Sequence, residues 1–486
     1  MDNKGQTTKI VDGESSELQM NPDDMLELAS VASGILVDWF KNLPDKDSWD
    51  GEFRDVLDNS LMKPPPENGR PAEDVIKQVG SEILPYALRH AHPRCFGFIA
   101  SSPTWPGILA DYLAAGFNIN TCTWLVASAP TEVELVVLEW FRQWLGLPDT
   151  AGGLLTSGTS AATVEAFVAA REFAKSPQRA TVYMSDQSHA VLVRAARVIG
   201  ISPECIRLIP SDNNFRLDID ALSSAIDADR KAGHTPMIVI ANAGTTATGA
   251  VDLLPELADF CETQNIWFHV DAAYGGFAVV TDRGKAILHG IERADSITLD
   301  GHKWFYQPYE VGCVMVKDLS NIENLHSMKP DILQDTIWGT NHPNMANRGI
   351  QLSRSARAMK IWTSVQTFGM AAFRRAVSRG MEFADRAEIH IKGRSDLEQL
   401  NPVTLGVICF RFNPEALELD EKTLEEINRI VLVRMFWEDK SFISSTLIRK
   451  KFAFRLCIIN HNTTWNDVEE TINAVETFGN EALTSN

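Results

Sequence analysis

The sequence has no Cys-x-x-Cys pair. Its seven cysteines, at 95, 122, 205, 261, 313, 409 and 457, are dispersed and odd in number. This argues against a disulfide frame or a zinc site and points to free thiols in a reducing, cytoplasmic setting. No apolar run approaches the length of a membrane span. Residues 1–19 are polar and mostly acidic, with no basic start followed by an apolar core, so no secretory signal is expected. Basic residues are in deficit: 45 Lys and Arg against 64 Asp and Glu leave a net charge of -19, which argues against nucleic acid or an anionic membrane as partner. Tyrosine is scarce; the last of the six is Tyr309. There is no internal repeat, no low-complexity tract and no Gly-Lys-Ser/Thr of a Walker loop.

With 486 residues the chain is too long for one simple core, and two or three domains are expected. Residues 1–20 read as a tail. Helical periodicity runs from Pro22 to Leu43, with Met25, Leu28, Val31, Leu36 and Phe40 on one face. The Pro64–Pro71 stretch is a linker, and Pro71 to Leu88 reads as helix again. Together, residues 1–88 form an N-terminal helical segment too small for a core of its own. From about 150 to 320, buried strands alternate with helices, the pattern of a mostly parallel α/β sheet with right-handed crossovers. Residues 320–350 are polar and irregular and read as a loop able to act as a lid. Helix is expected to resume at Gln351–Phe368. A small α+β domain closes the chain, giving divisions at 1–88, 89–370 and 371–486.

Two apolar runs carry the chemistry. One is Ile266–Val270, ending in Asp271-Ala272-Ala273-Tyr274; the other is Ser296–Leu299, ending in Asp300-Gly301-His302-Lys303-Trp304. They read as neighbouring strands, each presenting an ionisable group at its C-terminal end, where open α/β sheets bind ligands. A lysine beside a carboxylate is most often a plain ion pair. Here the lysine stands in a strand-end turn, and the carboxylate stands in a turn of small residues that a flat ring can approach. A Schiff-base lysine and an acid for a pyridinium nitrogen are what pyridoxal phosphate (PLP) requires of a protein. Burial is expected to lower the pKa of Lys303 from its usual value near ~10.4. Gly158, Thr159 and Ser160, at the start of an alanine-rich helix, offer N–H groups and hydroxyls to a phosphate, although Ser/Thr caps are common.

Asp271-Ala272-Ala273-Tyr274 and His302-Lys303-Trp304 resemble the signatures of the group II PLP-dependent amino acid decarboxylases, over roughly residues 22–480. The resemblance implies the type I PLP fold with a seven-stranded large-domain sheet. It also implies PLP as cofactor, held by Gly158, Thr159, Ser160, His189, Thr246, Asp271, Ala273, Asp300, His302 and Lys303, and no metal. Lys303, Asp271 and a ring-stacking His189 would be the catalytic groups. The substrate pocket would include Phe98, Ser101, Cys122, Trp124, Ile332 and Ser353, partly supplied by the second subunit of a homodimer. The implied reaction is decarboxylation of an L-amino acid, taken to be aromatic, to the amine. Ile332 stands where the family has a proton-donating loop tyrosine, which raises the alternative of an aldehyde synthase releasing aldehyde, ammonia and peroxide. His326, Asp331, Asp335, His342 or water are other possible proton sources. A non-catalytic PLP-fold subunit is a third reading, opposed by the presence of Lys303, Asp271 and His189. Transamination also remains open.

Overall fold

The computed structural model describes residues 16, 18–99, 101–327 and 342–484. The chain divides into two compact units, Met1–Arg89 and His90–Asn486.

In the first unit, helix α1 (Pro22–Asn42) begins where Asn21 Oδ1 accepts the Asp24 N–H at 2.9 Å, with Pro22 at the first helical position and Asp23 and Asp24 in the first turn. Helices α2 (Arg54–Leu61) and α3 (Ala72–Gln78) follow. The helix expected to run from Pro71 to Leu88 is shorter than that: after α3 the chain tightens into a π turn at Val79–Ile83 and a 3₁₀ turn at Leu84–Tyr86, which carries Pro85. The apolar stripe of α1 is present at helical spacing, but no residue of α1 is fully buried.

The second unit is built on a seven-stranded sheet in the order β1-β7-β6-β5-β4-β2-β3. Its strands are β1 (Gly152–Thr156), β2 (Ala180–Ser185), β3 (Ile206–Ile209), β4 (Thr235–Asn242), β5 (Trp267–Asp271), β6 (Ser296–Asp300) and β7 (Gly312–Val316). The five strands from β6 to β3 are parallel; β7 pairs antiparallel with both β6 and β1. Strands β2, β5 and β6 are buried along their whole length, as strands covered by helices on both faces must be. A second, antiparallel sheet has the order β10-β11-β9-β8, with β8 at Leu397–Gln399, β9 at Val407–Phe412, β10 at Ser444–Ile448 and β11 at Lys451–Cys457. It has its own apolar cluster, including Phe410, Phe412, Phe452 and Phe454.

Two sequence expectations are corrected. Residues Gln351–Arg357 are not helical; helix begins at Ala358 and continues to Lys392 across a bend at Gly369, whose φ is 67°. The backbone of Arg354 is committed elsewhere: its N–H donates to Asn120 Oδ1 at 3.0 Å, and its carbonyl accepts the Thr121 N–H at 2.8 Å. Its guanidinium, 1% exposed, lies 2.6 Å from the equally buried Glu134 Oε1 and donates to the Leu155 carbonyl at 2.9 Å. Glu134 in turn accepts the Leu155 N–H at 3.0 Å, so one buried ion pair ties the 120–121 segment, the 354 strap and β1 together. The 320–350 stretch is also more regular than expected. Ser320–His326 is helical and Met345–Arg348 forms a 3₁₀ turn. Glu165 lies 2.7 Å from His326 Nε2 at the end of the helix and accepts the N–H of Ile350, two residues past the turn, at 2.9 Å.

Because the Glu134–Arg354 pair is dry, an Arg354→Met substitution strands a buried carboxylate. Urea unfolding is expected to show a loss of about 3–5 kcal/mol. A Glu134→Leu/Arg354→Met double variant, which strands neither charge, is expected to recover most of that loss.

Candidate active site

The parallel register sets Asn242, Asp271 and Thr298 side by side at the ends of β4, β5 and β6. Asp300, two residues beyond Thr298, therefore shares a face with Asp271. A cavity of about 440 Å³ opens at these strand ends. Gly158, Thr159, Ser160, His189, Thr246, Asp271, Ala273, Asp300, His302 and Lys303, expected from the sequence to surround one ligand, all line it.

Lys303 Nζ lies 2.9 Å from Asp300 Oδ2, and Asp300 Oδ1 accepts the Thr159 N–H at 2.7 Å. One carboxylate thus joins the lysine to the first turn of the helix Thr159–Phe173. Burial opposes charge on Asp300, but Lys303, His302 and the Thr159 N–H outweigh it and hold the carboxyl below its usual range. Burial likewise opposes the Lys303 ammonium, yet Asp300, then Asp271 and Tyr309, prevail and hold it above the usual lysine range. The expectation that burial would lower this pKa is overturned: two carboxylates outweigh desolvation. Asp271 is pushed up by burial, only partly opposed by Lys303 and by the Ala273 N–H that its Oδ1 accepts at 3.1 Å. Among the described residues it has no ion-pair partner within 4 Å.

His189 caps the helix Ala190–Val198, its Nδ1 accepting the Val191 N–H at 3.2 Å. The proton of the neutral ring therefore resides on Nε2. Burial lowers its pKa, with Asp271 opposing, so the ring is neutral at neutral pH. His302 Nδ1 lies 2.8 Å from the Val311 carbonyl, leaving Nε2 turned toward Asp300 at 3.7 Å. Behind Lys303, Ser101 Oγ donates to its carbonyl at 2.6 Å. Trp304 stacks on Tyr274 at 5.3 Å, and the Tyr274 hydroxyl accepts the Gly406 N–H at 2.8 Å. The turn that carries Lys303 is thereby pinned to the segment entering β9.

The donor set fits PLP. A buried, unpaired carboxylate at Asp271 suits a pyridine nitrogen. At the opposite end, a Cβ on Gly158 would point toward His302 Cε1 at 3.5 Å and Asp300 Oδ1 at 3.8 Å, and the Thr159 hydroxyl is buried without a partner. That turn and its helix N-terminus suit a phosphate. A Cβ on Gly312 would stand 2.4 Å from Gly158 Cα, so only glycine lets β7 back the turn this closely.

Residues 58–413 match the profile described as the pyridoxal-dependent decarboxylase conserved domain. The chain belongs to the pyridoxal-dependent decarboxylase family. It is 34% identical over 474 residues to an aromatic-L-amino-acid decarboxylase of Bacillus atrophaeus, covering 97% of this chain and 98% of that protein. A phenylacetaldehyde synthase of Petunia hybrida is 28% identical, over 90% of this chain and 91% of that protein. Among solved structures, Oryza sativa TDC with PLP and tryptamine matches with a TM-score of 0.91 at 27% identity, covering 96% of this chain and 99% of that one. This decarboxylase has the type I PLP fold and is a PLP-dependent carboxy-lyase.

Other residues expected at the substrate pocket are not among those lining this cavity. Ser101 supports Lys303 from behind, and Phe98 is exposed with its ring 5.7 Å from that of Phe442. The Cys122 carbonyl accepts the Ala346 N–H, the Trp124 ring lies 5.0 Å from that of His342, and Ser353 is exposed on the strap. Ile332 lies outside the described residues, as do Asp331 and Asp335. Conversely, Asn242, Tyr309 and Glu310 line the cavity without having been expected there. The signal for the latter pair was positional: they stand in the connection between β6 and an antiparallel β7, which must turn back over the strand end that carries Lys303.

Forming the covalent bond to PLP requires Lys303 as the free amine. Capture by the apoprotein, followed by absorbance on mixing, is expected to quicken as pH rises from about 6 to 9. In Asp300→Asn, which removes the principal anion holding the proton on Lys303, the same rise is expected at lower pH.

Proposed function

We propose that this carboxy-lyase converts an aromatic L-amino acid to its amine, with Lys303, Asp271 and His189 as the catalytic groups. The observation that carries this reading is Lys303 and the unpaired Asp271 in one cavity, facing a helix-start turn suited to a phosphate. When bound there, PLP accepts the electron pair released as carbon dioxide leaves the substrate α-carbon. Asp271 would hold a proton at the pyridine nitrogen, the neutral His189 ring would pack against the cofactor, and Gly158–Ser160 and His302 would hold the phosphate. Lys303 would hold the cofactor through its amine and, as an ammonium, would carry a proton to give to the substrate.

The substrate class rests on charge. Asp271, Asp300 and Glu310 line the cavity against Lys303, and no arginine lines it among the described residues, so a second substrate carboxylate would be repelled. The aromatic relatives support the same class. A second reading, oxidative deamination to an aldehyde, is favoured by Ile332 at the position of a family tyrosine and supported by the likeness to a phenylacetaldehyde synthase. We further propose a homodimer. The α1 stripe is only half covered within its unit, and a second copy would add Cys122, Trp124 and Ser353 to the pocket. A cytoplasmic setting accords with seven free cysteines.

The deciding assay incubates PLP-loaded protein with a panel of L-amino acids in air and measures amine, aldehyde and peroxide together. Amine without peroxide is expected; aldehyde with stoichiometric peroxide would establish the second reading, and Ile332→Tyr should then move product toward amine. Asp271→Ala is expected to lower kcat by about 10²–10³-fold, as for other preorganised electrostatic groups.

A further inference from the structure

Charged groups and hydroxyls gather around Lys303 in the cavity, and two phenols, Tyr274 and Tyr309, also line it, which raises the question of where an aromatic side chain would rest. Of its two aromatic phenols, Tyr274 is 2% exposed, with its ring against Trp304 and its hydroxyl engaged by the Gly406 N–H. Tyr309 is 57% exposed. Its ring lies 4.5 Å from that of His302 and 5.7 Å edge-on from that of His90.

The backbone around Tyr309 is fixed on both sides. The Lys360 ammonium, buried at 3% exposure and 2.7 Å from Asp111 Oδ2, donates to the carbonyls of Pro308 at 3.1 Å and Glu310 at 3.3 Å. Glu310 is also 3.2 Å from Arg357 Nη2. A half-open phenol thus stands on an anchored backbone at the cavity. Among the described residues its hydroxyl has no hydrogen-bond partner.

We infer that Tyr309 determines substrate specificity: its ring is the wall on which the substrate's aromatic ring packs, and its hydroxyl favours a ring bearing a hydrogen-bonding group, a phenol or an indole, over a bare phenyl. The inference rests on the proposed aromatic decarboxylase reading and deepens it. The physical reasons are ordinary. Aromatic pairs gain from offset or edge contact beyond their area, and a site with an unmatched polar group discriminates against a ligand that leaves it unpaired. Burial raises the phenol's pKa, so it remains a donor at neutral pH.

The test compares wild type, Tyr309→Phe and Tyr309→Leu as holoenzymes of equal PLP content. Steady-state kinetics on L-tyrosine, L-tryptophan and L-phenylalanine are paired with calorimetric binding of tyramine and phenethylamine to the borohydride-reduced holoenzyme, which binds without turnover. Tyr309→Phe is expected to reduce the preference for tyrosine over phenylalanine by about 3- to 10-fold, the worth of one neutral hydrogen bond, mainly in KM. The tyramine-over-phenethylamine binding preference should fall in parallel. Tyr309→Leu is expected to weaken binding of both amines. Unchanged discrimination in Tyr309→Phe, with aromatic substrates still accepted, overturns the inference alone. A wild type that turns over no aromatic amino acid overturns both the inference and the reading beneath it. A fall in kcat with new aldehyde and peroxide, at unchanged KM and amine binding, would assign Tyr309 to proton delivery and overturn the recognition role.

Discussion

The site depends on one constraint: a lysine and two carboxylates share a poorly hydrated space at the ends of adjacent parallel strands. Taking a lone charge out of water is costly, so each group must be compensated by another. Asp300 compensates Lys303 and at the same time anchors the first N–H of the helix Thr159–Phe173. Asp271 is left without such a partner, which keeps its pKa raised. The two acids have the same side chain and differ in role because only one of them touches the lysine.

The surrounding architecture keeps these few groups in place. The parallel register delivers Asp271 and Asp300 to one face. The stacked pair Tyr274–Trp304, tied to Gly406, holds the Lys303 turn from the side of the second sheet. The Glu134–Arg354 pair does the equivalent for β1 and the strap that includes Ser353. Such buried ion pairs are better understood as fixing geometry than as adding net stability, since their desolvation cancels much of their attraction.

Charge also bears on selectivity. Among the described residues, three carboxylates and one lysine line the cavity, the balance on which the proposed exclusion of an acidic side chain rests. The exposed phenol of Tyr309 is placed by a buried lysine that donates to the carbonyls on both sides of it. Lys303 and Tyr309 thus both reach the cavity from a single connection, residues 300–310.

By itself the sequence determined the alternation of buried strands and helices, the strand-end placement of Asp271 and Lys303, and the helix-start turn at Gly158–Ser160. These are local features: β-branched and apolar runs, small-residue turns and caps leave their mark within a few residues. It misplaced the helix start at Gln351, because the periodicity there was overridden by backbone bonds to Asn120 and Thr121, more than two hundred residues away. It also mistook the direction of the Lys303 pKa. Burial can be read from an apolar run, but the 2.9 Å approach of Asp300 is a side-chain geometry that only packing sets. Tyr309 was visible in the sequence as the last tyrosine, but its place over the strand end followed from β7 running antiparallel to β6, a pairing choice made by the whole sheet.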